Sequence, residues 1–120
     1  MSHPVVWWEI GGKDASKSQE FYSKMFNWKI DTESMPDYGV VETGGEGGIN
    51  GGVFKSPAGA PYLTFYVQVD DVAAALEKAV TCGGEAVTQP QDIPNVGTSA
   101  FFKDPDGLIV GLFKPLKAEG

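Results

Sequence analysis

The sequence predicts an α+β fold in which a βαβββ module occurs twice, its two half-sheets forming a curved, incomplete β-barrel with a cleft. The tail segment Gly111–Pro115, Gly-Leu-Phe-Lys-Pro, has a counterpart in Gly52–Pro57, Gly-Val-Phe-Lys-Ser-Pro, half a chain earlier. Asp71 follows Asp14 at an offset of 57 residues (71 − 14), and each precedes a predicted helix. Sixteen Gly and eight Pro among 120 residues indicate short strands joined by turns.

The first module is predicted over residues 4–57. Pro4–Ile10 is rich in β-branched and aromatic residues, which favours a strand. Asp14 is a helix N-cap, and the apolar residues of Ala15–Phe26 mostly follow helical spacing. The remaining elements of this module are a strand that starts at Asn27, a turn at residues 35–37, a strand at Tyr38–Thr43, a flexible loop at Gly44–Gly48 and a strand at Ile49–Lys55.

The second module is predicted over residues 60–116 and repeats this order after the linker at residues 56–61. Tyr62–Val69 is a strand, and Asp71 caps a helix that ends at Gly83-Gly84. An apolar stripe with i, i+3, i+4, i+7, i+8 spacing marks the inner face of that helix: Val72, Ala75, Leu76, Ala79 and Val80. The last elements are strands at Glu85–Thr88, Thr98–Lys103 and Leu108–Phe113, with a loop at Pro90–Pro94.

Length and composition predict a single domain over residues 1–120, since 42% hydrophobic and 21% charged residues are ordinary for a globular protein. The formal net charge of −7 and the lack of a basic patch argue against a nucleic-acid partner. No segment has the length and apolarity of a membrane span, and the N-terminus does not resemble a signal peptide. One cysteine, Cys82, fits a reducing compartment, so a cytoplasmic protein is expected.

The chain resembles the vicinal oxygen chelate (VOC) superfamily, also called the glyoxalase/bleomycin resistance protein/dioxygenase superfamily. The resemblance runs from about Val5 to Pro115 and rests on three groups of residues: Asp14 with Phe21-Tyr22 and Phe26-Asn27-Trp28, then Val69–Val72, then Phe102–Gly107. It implies the glyoxalase/bleomycin resistance fold, a small-molecule ligand in the cleft and a homodimer. In metal-dependent members it also implies a divalent ion held by His or Glu on the first and last strand of each module.

Carried over residue by residue, the resemblance sets the four usual metal-ligand positions at Trp7, Gly52, Thr64 and Gly111. None of these side chains is a competent ligand, and a register shift of one residue does not supply one. A Lewis-acid site needs about three or four converging N or O ligands. We therefore predict no metal site and no cofactor, although a divalent metal remains an alternative. His3, the only histidine, lies at the chain end and is read as a surface residue.

Strand alternation assigns nine residues to the cleft face: Trp7, Glu9, Asn50, Gly52, Thr64, Tyr66, Gln68, Ile109 and Gly111. Glu9 is the catalytic candidate, because a carboxylate enclosed in a cleft can act as a general base. Two structural explanations stay open. Trp7 and Tyr66 can simply fill the space between the half-sheets, and Glu9 can be a structural hydrogen-bond partner of Tyr66.

Three functional hypotheses follow, and whether the protein is an enzyme stays open. The leading one is a metal-independent protein that binds or sequesters a small molecule. The alternative is a metal-dependent lyase, isomerase or dioxygenase of the same superfamily with an atypical site around Glu9. A third is an accessory module whose cleft is filled by its own side chains.

Overall fold

The computed structural model describes residues 3–34 and 37–116, which divide into two compact units. The first unit is Val6–Thr64, and the second combines the residues up to Val5 with those from Phe65 onward. These boundaries pass through two strands, whereas the sequence predicts modules at residues 4–57 and 60–116. The structure of each unit is described separately below.

The unit Val6–Thr64 carries one helix and a mixed sheet. Its elements are β1 (Val5–Gly12), α1 (Ala15–Phe26), β2 (Lys29–Asp31), β3 (Tyr38–Glu42) and β4 (Gly51–Lys55). The strand order is β2-β3-β4-β1, with β4 parallel to β1 and the other pairs antiparallel. The β4–β1 pair is parallel because the chain crosses over through α1, β2 and β3 between them.

Helix α1 has the bounds that the sequence predicts, because both of its ends are capped by local side-chain and backbone chemistry. The Asp14 carboxylate accepts a hydrogen bond from the Lys17 backbone N–H at 3.2 Å. Asn27 ends the helix in the left-handed region, with φ of 60°, so β2 begins at Lys29 rather than at Asn27. In the predicted turn that follows β2, Met35 and Pro36 lie outside the described residues.

The two faces of this sheet differ in chemistry. On the α1 side, Val41 and Val53 are fully buried, and the Gln19 amide donates to the Val53 carbonyl at 2.9 Å. The opposite face carries Trp7, Glu9 and their cross-strand neighbours. We call this opposite side of the Val6–Thr64 sheet the Glu9 face.

The second unit also carries one helix on a sheet. Strand β5 (Tyr62–Gln68) enters this unit at Phe65, and the other elements are α2 (Val72–Thr81), β6 (Glu85–Ala86), β7 (Gln91–Ile93), β8 (Gly97–Lys103) and β9 (Ile109–Pro115). The strand order is β5-β9-β8-β6, and β7 pairs with β8. Strands β5 and β9 are parallel, while the other pairs are antiparallel.

The loop predicted at Pro90–Pro94 was wrong, because Gln91–Ile93 forms β7. This strand is antiparallel to the beginning of β8, with Gln91 opposite Ser99 and Ile93 opposite Gly97. Asn95, with φ of 65°, makes the tight connection between the two strands. The two prolines flank the short strand and so remove no N–H from it.

Helix α2 anchors the core of the second unit. The Asp71 carboxylate accepts from the Ala74 backbone N–H at 3.0 Å, which confirms the predicted N-cap. Val72 and Leu76 are buried with Ala100 and Leu112, whereas Val80, the last residue of the predicted stripe, is 53% exposed.

The two helices are short, with 12 residues in α1 and 10 in α2. Within residues 3–34 and 37–116, no helix combines the length and the apolar character needed to cross a membrane.

Candidate functional site

A chain of hydrogen bonds on the Glu9 face links two aromatic side chains to a buried carboxylate. The Trp7 indole N–H donates to the Tyr38 hydroxyl oxygen at 2.9 Å. The Tyr38 hydroxyl in turn donates to Glu9 Oε2 at 2.8 Å. Glu9 is only 8% exposed, and such a burial is costly unless the carboxylate accepts hydrogen bonds. Tyr38 therefore both stabilises and orients the Glu9 carboxylate.

Strand register explains why Tyr38 reaches Glu9. Glu9 lies opposite Gly52 across the β1–β4 pair, and Gly52 lies opposite Val40 across the β4–β3 pair. Tyr38 is therefore a diagonal neighbour of Gly52 on the same face. A Cβ atom added at position 52 would overlap the Tyr38 ring. The ring thus occupies the space that a side chain at position 52 would need.

Two phenols on the Glu9 face hold their protons strongly. Burial and the negative charge of Glu9 raise the pKa of Tyr38 well above its ordinary value, although the hydrogen bond from Trp7 opposes this. Burial and the charge of Glu9 likewise raise the pKa of Tyr62 to about 12. Tyr62 packs edge-on against Phe54, with ring centroids 6.1 Å apart. At neutral pH both phenols are therefore hydrogen-bond donors rather than acceptor-only phenolates.

The other predicted site residues of this unit have different surroundings. Thr64 is buried, with 5% exposure. Asn50 is exposed and precedes β4 instead of lying within it. Its side-chain oxygen accepts a hydrogen bond from the Thr43 backbone N–H at 3.0 Å. Asn50 thus stabilises the β3–β4 connection and takes no part in the Trp7–Tyr38–Glu9 hydrogen bonds.

In the second unit, as in the first, a tyrosine ring lies over a glycine. Tyr66 is 8% exposed and lies opposite Gly111 across the parallel β5–β9 pair. A Cβ atom at position 111 would overlap the Tyr66 ring, which also packs on Phe101 with a centroid distance of 5.4 Å. Of the two remaining predicted residues, Gln68 lies partly buried opposite Phe113, and Ile109 is 43% exposed opposite Lys103.

The residues at the family's metal-ligand positions do not fit a divalent ion. Trp7 and the two glycines offer no oxygen or imidazole ligand, and Thr64 is a weak neutral donor. Tyrosine rings cover both glycines, so there is also no room for a longer side chain. Within the described part of the chain, no three residues of the His, Cys, Asp and Glu types cluster as a metal site would require.

A separate groove beside α2 shares no residue with the predicted cleft set. Its volume is about 530 Å³, and its walls include Val69, Ala75, Ala79, Phe102 and Leu112. His3 lines this groove and is exposed, in agreement with its prediction as a surface residue.

Tyr38 and Tyr62 also belong to the Glu9 face, although neither was among the predicted site residues. Alternation within β3 does place Tyr38 and Val40 on one face, which was the available signal. The approach of Tyr38 to Glu9, however, depends on the pairing of β3 with β4 and of β4 with β1. One strand read in isolation contains no information on these partners or their register.

A family model described as the Glyoxalase/Bleomycin resistance protein/Dioxygenase superfamily matches residues 3–112. Among curated proteins, the putative glyoxylase CFP32 of Mycobacterium bovis is 32% identical over 117 residues, which cover 90% of this chain and 44% of CFP32. The anthracycline biosynthesis protein DnrV of Streptomyces peucetius is 27% identical over 132 residues, covering 96% of this chain and 48% of DnrV. The chain thus spans less than half the length of these relatives.

Solved structures resemble the chain over nearly its whole length. Methylmalonyl-CoA epimerase from Mycobacterium tuberculosis superimposes with a TM-score of 0.68 at 14% identity, covering 94% of this chain and 88% of the epimerase. The Mn(II)-bound glyoxalase from Novosphingobium aromaticivorans superimposes with a TM-score of 0.65 at 16% identity, covering 94% of this chain and 40% of the glyoxalase chain. At these identities the likeness shows the fold alone, and it confirms the predicted fold class.

Proposed function

Because the chain belongs to the Glyoxalase/Bleomycin resistance protein/Dioxygenase superfamily, we propose that it binds a small organic molecule without a divalent metal ion. The observation that carries the proposal is the Tyr38 side chain. Its ring covers Gly52, a usual metal-ligand position, and its hydroxyl donates to Glu9. A face built this way offers aromatic surface and hydrogen bonds in place of a coordination site.

The chemistry of the Glu9 face favours a flat ligand that carries an oxygen acceptor. Small-molecule sites are mostly apolar, with a few polar groups that fix orientation. The rings of Trp7, Phe54 and Tyr62 supply apolar surface, and each is partly rather than fully buried. The Tyr62 hydroxyl is protonated at neutral pH, so it can donate a hydrogen bond to a carbonyl or hydroxyl oxygen of the ligand.

Thr64 belongs to the same unit as Glu9, and the predicted residues of the second unit are Tyr66, Gln68, Ile109 and Gly111. Their role in ligand binding stays a prediction, as does that of Asn50.

A second candidate function is enzymatic: a metal-dependent lyase, isomerase or dioxygenase of the same superfamily with an atypical site around Glu9. The burial of a carboxylate next to Tyr38 favours this alternative, since a carboxylate held in an enclosed site can act as a general base. Under the enzymatic alternative the bound molecule is converted to product, whereas the binding proposal involves no reaction.

A thermal-shift screen of flat aromatic compounds tests the binding proposal. An anthracycline is the first probe, because one relative is named for anthracycline biosynthesis. A ligand present at about 100 times its Kd stabilises the folded state by about 2.7 kcal/mol, so a raised Tm is expected without added metal. Tyr62→Phe should weaken the shift, whereas Tyr22→Phe, a matched change on α1, should not.

Two results would count against this proposal. The first is a compound that binds only when a divalent metal is supplied. The second is turnover of a bound compound that Glu9→Gln abolishes while binding persists, which would establish the enzymatic alternative.

A further inference from the structure

A groove runs along one side of helix α2, and all of its walls belong to the second unit. Its volume of about 530 Å³ lies within the usual range of small-molecule sites. Its apolar walls consist of Val69, Ala75, Ala79, Phe102 and Leu112. We call this cavity the α2 groove. It lies apart from the Glu9 face, so a ligand bound in it is independent of the proposed function.

Small side chains on α2 keep the groove open. Ala74, Ala75 and Ala79 line it, and none of them extends beyond a Cβ atom. At the offset of 57 residues that relates Asp14 to Asp71, Ala79 corresponds to Tyr22 of α1. The Tyr22 ring packs on Trp28 with a centroid distance of 6.1 Å. The first module thus carries a large ring at a helical position where the second module has alanine and an open groove.

The α2 groove extends from one end of the helix to the other. Val69, Asp70 and Asp71 line it before the first turn, and Cys82 and Gly84 line it after the last. The offset from Asp71 to Cys82 is 11 residues (82 − 71), which corresponds to about 16 Å along a helix. A groove of this length accommodates an elongated molecule rather than a single ion.

Asp104 lies at the end of the groove where α2 terminates. The Lys103 carbonyl oxygen lies 2.5 Å from the point that a Cβ atom of Gly84 would occupy. Gly84 in turn closes the end of α2, since its backbone N–H donates to the Ala79 carbonyl at 2.8 Å. The end of β8 is therefore next to the C-terminal end of α2, and Asp104 follows β8 directly.

One oxygen of the Asp104 carboxylate holds the turn after β8. Oδ1 accepts hydrogen bonds from the backbone N–H groups of Asp106 and Leu108, both at 2.9 Å. The second oxygen, Oδ2, accepts no hydrogen bond from the part of the chain that the structure describes. The turn thus fixes the carboxylate in place and leaves Oδ2 available to a donor from outside the chain.

The electrostatics of this end of the groove favour a cation. The C-terminal end of a helix carries a partial negative charge, and the Asp104 carboxylate adds a full one. Lys103 alternates with Phe102 along β8, so its side chain belongs to the opposite face of that strand. Lys78 is exposed and, among the described residues, forms no ion pair with Asp104. The net charge of −7 acts in the same direction, because it attracts cations to the protein as a whole.

We propose that the α2 groove binds an amphipathic organic amine, with the ammonium group at Asp104 and the apolar body along Ala75, Ala79 and Phe102. The ammonium group donates to Asp104 Oδ2, and a hydrogen bond between two charged groups is stronger than one between neutral groups. The apolar body removes the walls of the groove from water.

Three compounds that share one carbon skeleton test the choice of head group: phenylbutylamine, phenylbutanol and phenylbutyrate. Isothermal titration calorimetry should give the lowest Kd for the amine. The alcohol should bind about fivefold more weakly, and the carboxylate more weakly still. A carboxylate that binds as tightly as the amine, or an amine that does not bind at millimolar concentration, would overturn the proposal.

Cys82 shows where the amine binds, since it is the only cysteine of the chain and its exposed side chain lines the groove. Saturating phenylbutylamine should slow the reaction of Cys82 with a thiol reagent. Ala79→Leu narrows the groove and should weaken amine binding by about tenfold or more. Ala73→Leu is the matched control on α2, because Ala73 is exposed and does not line the groove. An unprotected Cys82 in the saturated protein would contradict the proposed site.

Two charge variants test the position of the ammonium group. Asp104→Asn keeps an oxygen that can accept from Asp106 and Leu108 but loses the charge, so the Kd for phenylbutylamine should rise about fivefold. Lys78→Gln removes a positive charge beside the groove and should lower this Kd. Asp92→Asn is the control, because Asp92 is an exposed carboxylate of the same unit that does not line the groove. An unchanged Kd in Asp104→Asn, or a raised Kd in Lys78→Gln, would contradict the placement, and circular dichroism checks that each variant is folded.

Discussion

Tyr38 and Gly52 act as one structural unit on the Glu9 face. The ring fills the volume beside Gly52, and the hydroxyl is held between Trp7 and Glu9, which fixes the ring in place. A side chain at position 52 must therefore displace the hydroxyl end of the Tyr38 ring, which is itself held by hydrogen bonds to Trp7 and Glu9.

We expect Gly52→Ala to lower the free energy of unfolding by about 1–3 kcal/mol, the usual cost of overpacking a well-filled site. In a Tyr38→Ala background the same change should cost much less, because the ring that it meets is gone. Urea denaturation of the four proteins of this cycle measures the coupling. Gly45→Ala is the control, since no described atom lies within 4 Å of a Cβ there. Equal penalties in both backgrounds would refute the packing explanation.

The alkaline stability of the protein should depend on Tyr62. Its folded-state pKa of about 12 exceeds the pKa of about 10 that a tyrosine has in an unfolded chain. The folded state therefore keeps a proton that the unfolded state loses, and stability falls as pH rises in this interval. The contribution of Tyr62 to the free energy of unfolding is therefore fully present below about pH 10 and is lost as the pH rises through about 12.

Urea unfolding between about pH 8 and pH 12 measures this dependence. The free energy of unfolding should fall less steeply with pH in Tyr62→Phe than in the wild type. A further decrease in slope is expected for Tyr38→Phe with Tyr62→Phe, because the Tyr38 pKa is raised in the same direction. Superimposable pH profiles would show that neither phenol is linked to folding.

The sequence predicted which residues share one face of a strand, but it did not predict the contacts between strands. Alternation along β1 assigned Trp7 and Glu9 to one face, and the internal echo singled out Gly52 and Gly111. The hydrogen bond from Tyr38 to Glu9 joins residues 29 positions apart. It arises from strand pairing, which a local pattern does not specify.

The two helices offer a comparison at the scale of elements. Leu76 of α2 is 5% exposed within the core of its unit, and its counterpart Gln19 makes one hydrogen bond to Val53. We expect Leu76→Ala to destabilise the protein by about 2–5 kcal/mol through loss of apolar burial and creation of a cavity. Gln19→Ala should cost only about 0.5–1.5 kcal/mol. Chemical denaturation measures the free energy of unfolding of both variants. Equal losses for Leu76→Ala and Gln19→Ala would contradict the inference that α2 is held more strongly by apolar burial than α1 is by its hydrogen bond.

Element bounds were predictable where a cap encodes them. Asp14 and Asp71 each accept a backbone hydrogen bond at the start of a helix, so both helix starts could be read from the sequence. The bounds of strand β7 could not be read from the sequence, because three residues between prolines form a strand only by pairing with β8.

At the scale of the whole molecule, the repeat in the sequence was enough to predict the fold class. Each βαβββ module needs a partner sheet, and a tandem pair at a constant offset restricts the possible architectures. The same repeat shows where the two modules have diverged. Their helices carry different outer faces, since the large apolar residues Phe21, Met25 and Phe26 correspond to Lys78, Cys82 and Gly83 in the second module.

A metal-independent protein should keep its stability and its ligand binding when chelator removes divalent ions. We expect dialysis against EDTA to leave Tm unchanged, because Trp7, Gly52, Thr64 and Gly111 supply no adequate ligand set. Elemental analysis of the purified protein provides the second measurement. Stoichiometric zinc, iron, nickel or manganese would contradict the expectation if it disappears in Glu9→Ala. The control is Glu42→Ala, which removes an exposed carboxylate from β3 and should leave the metal content unaltered.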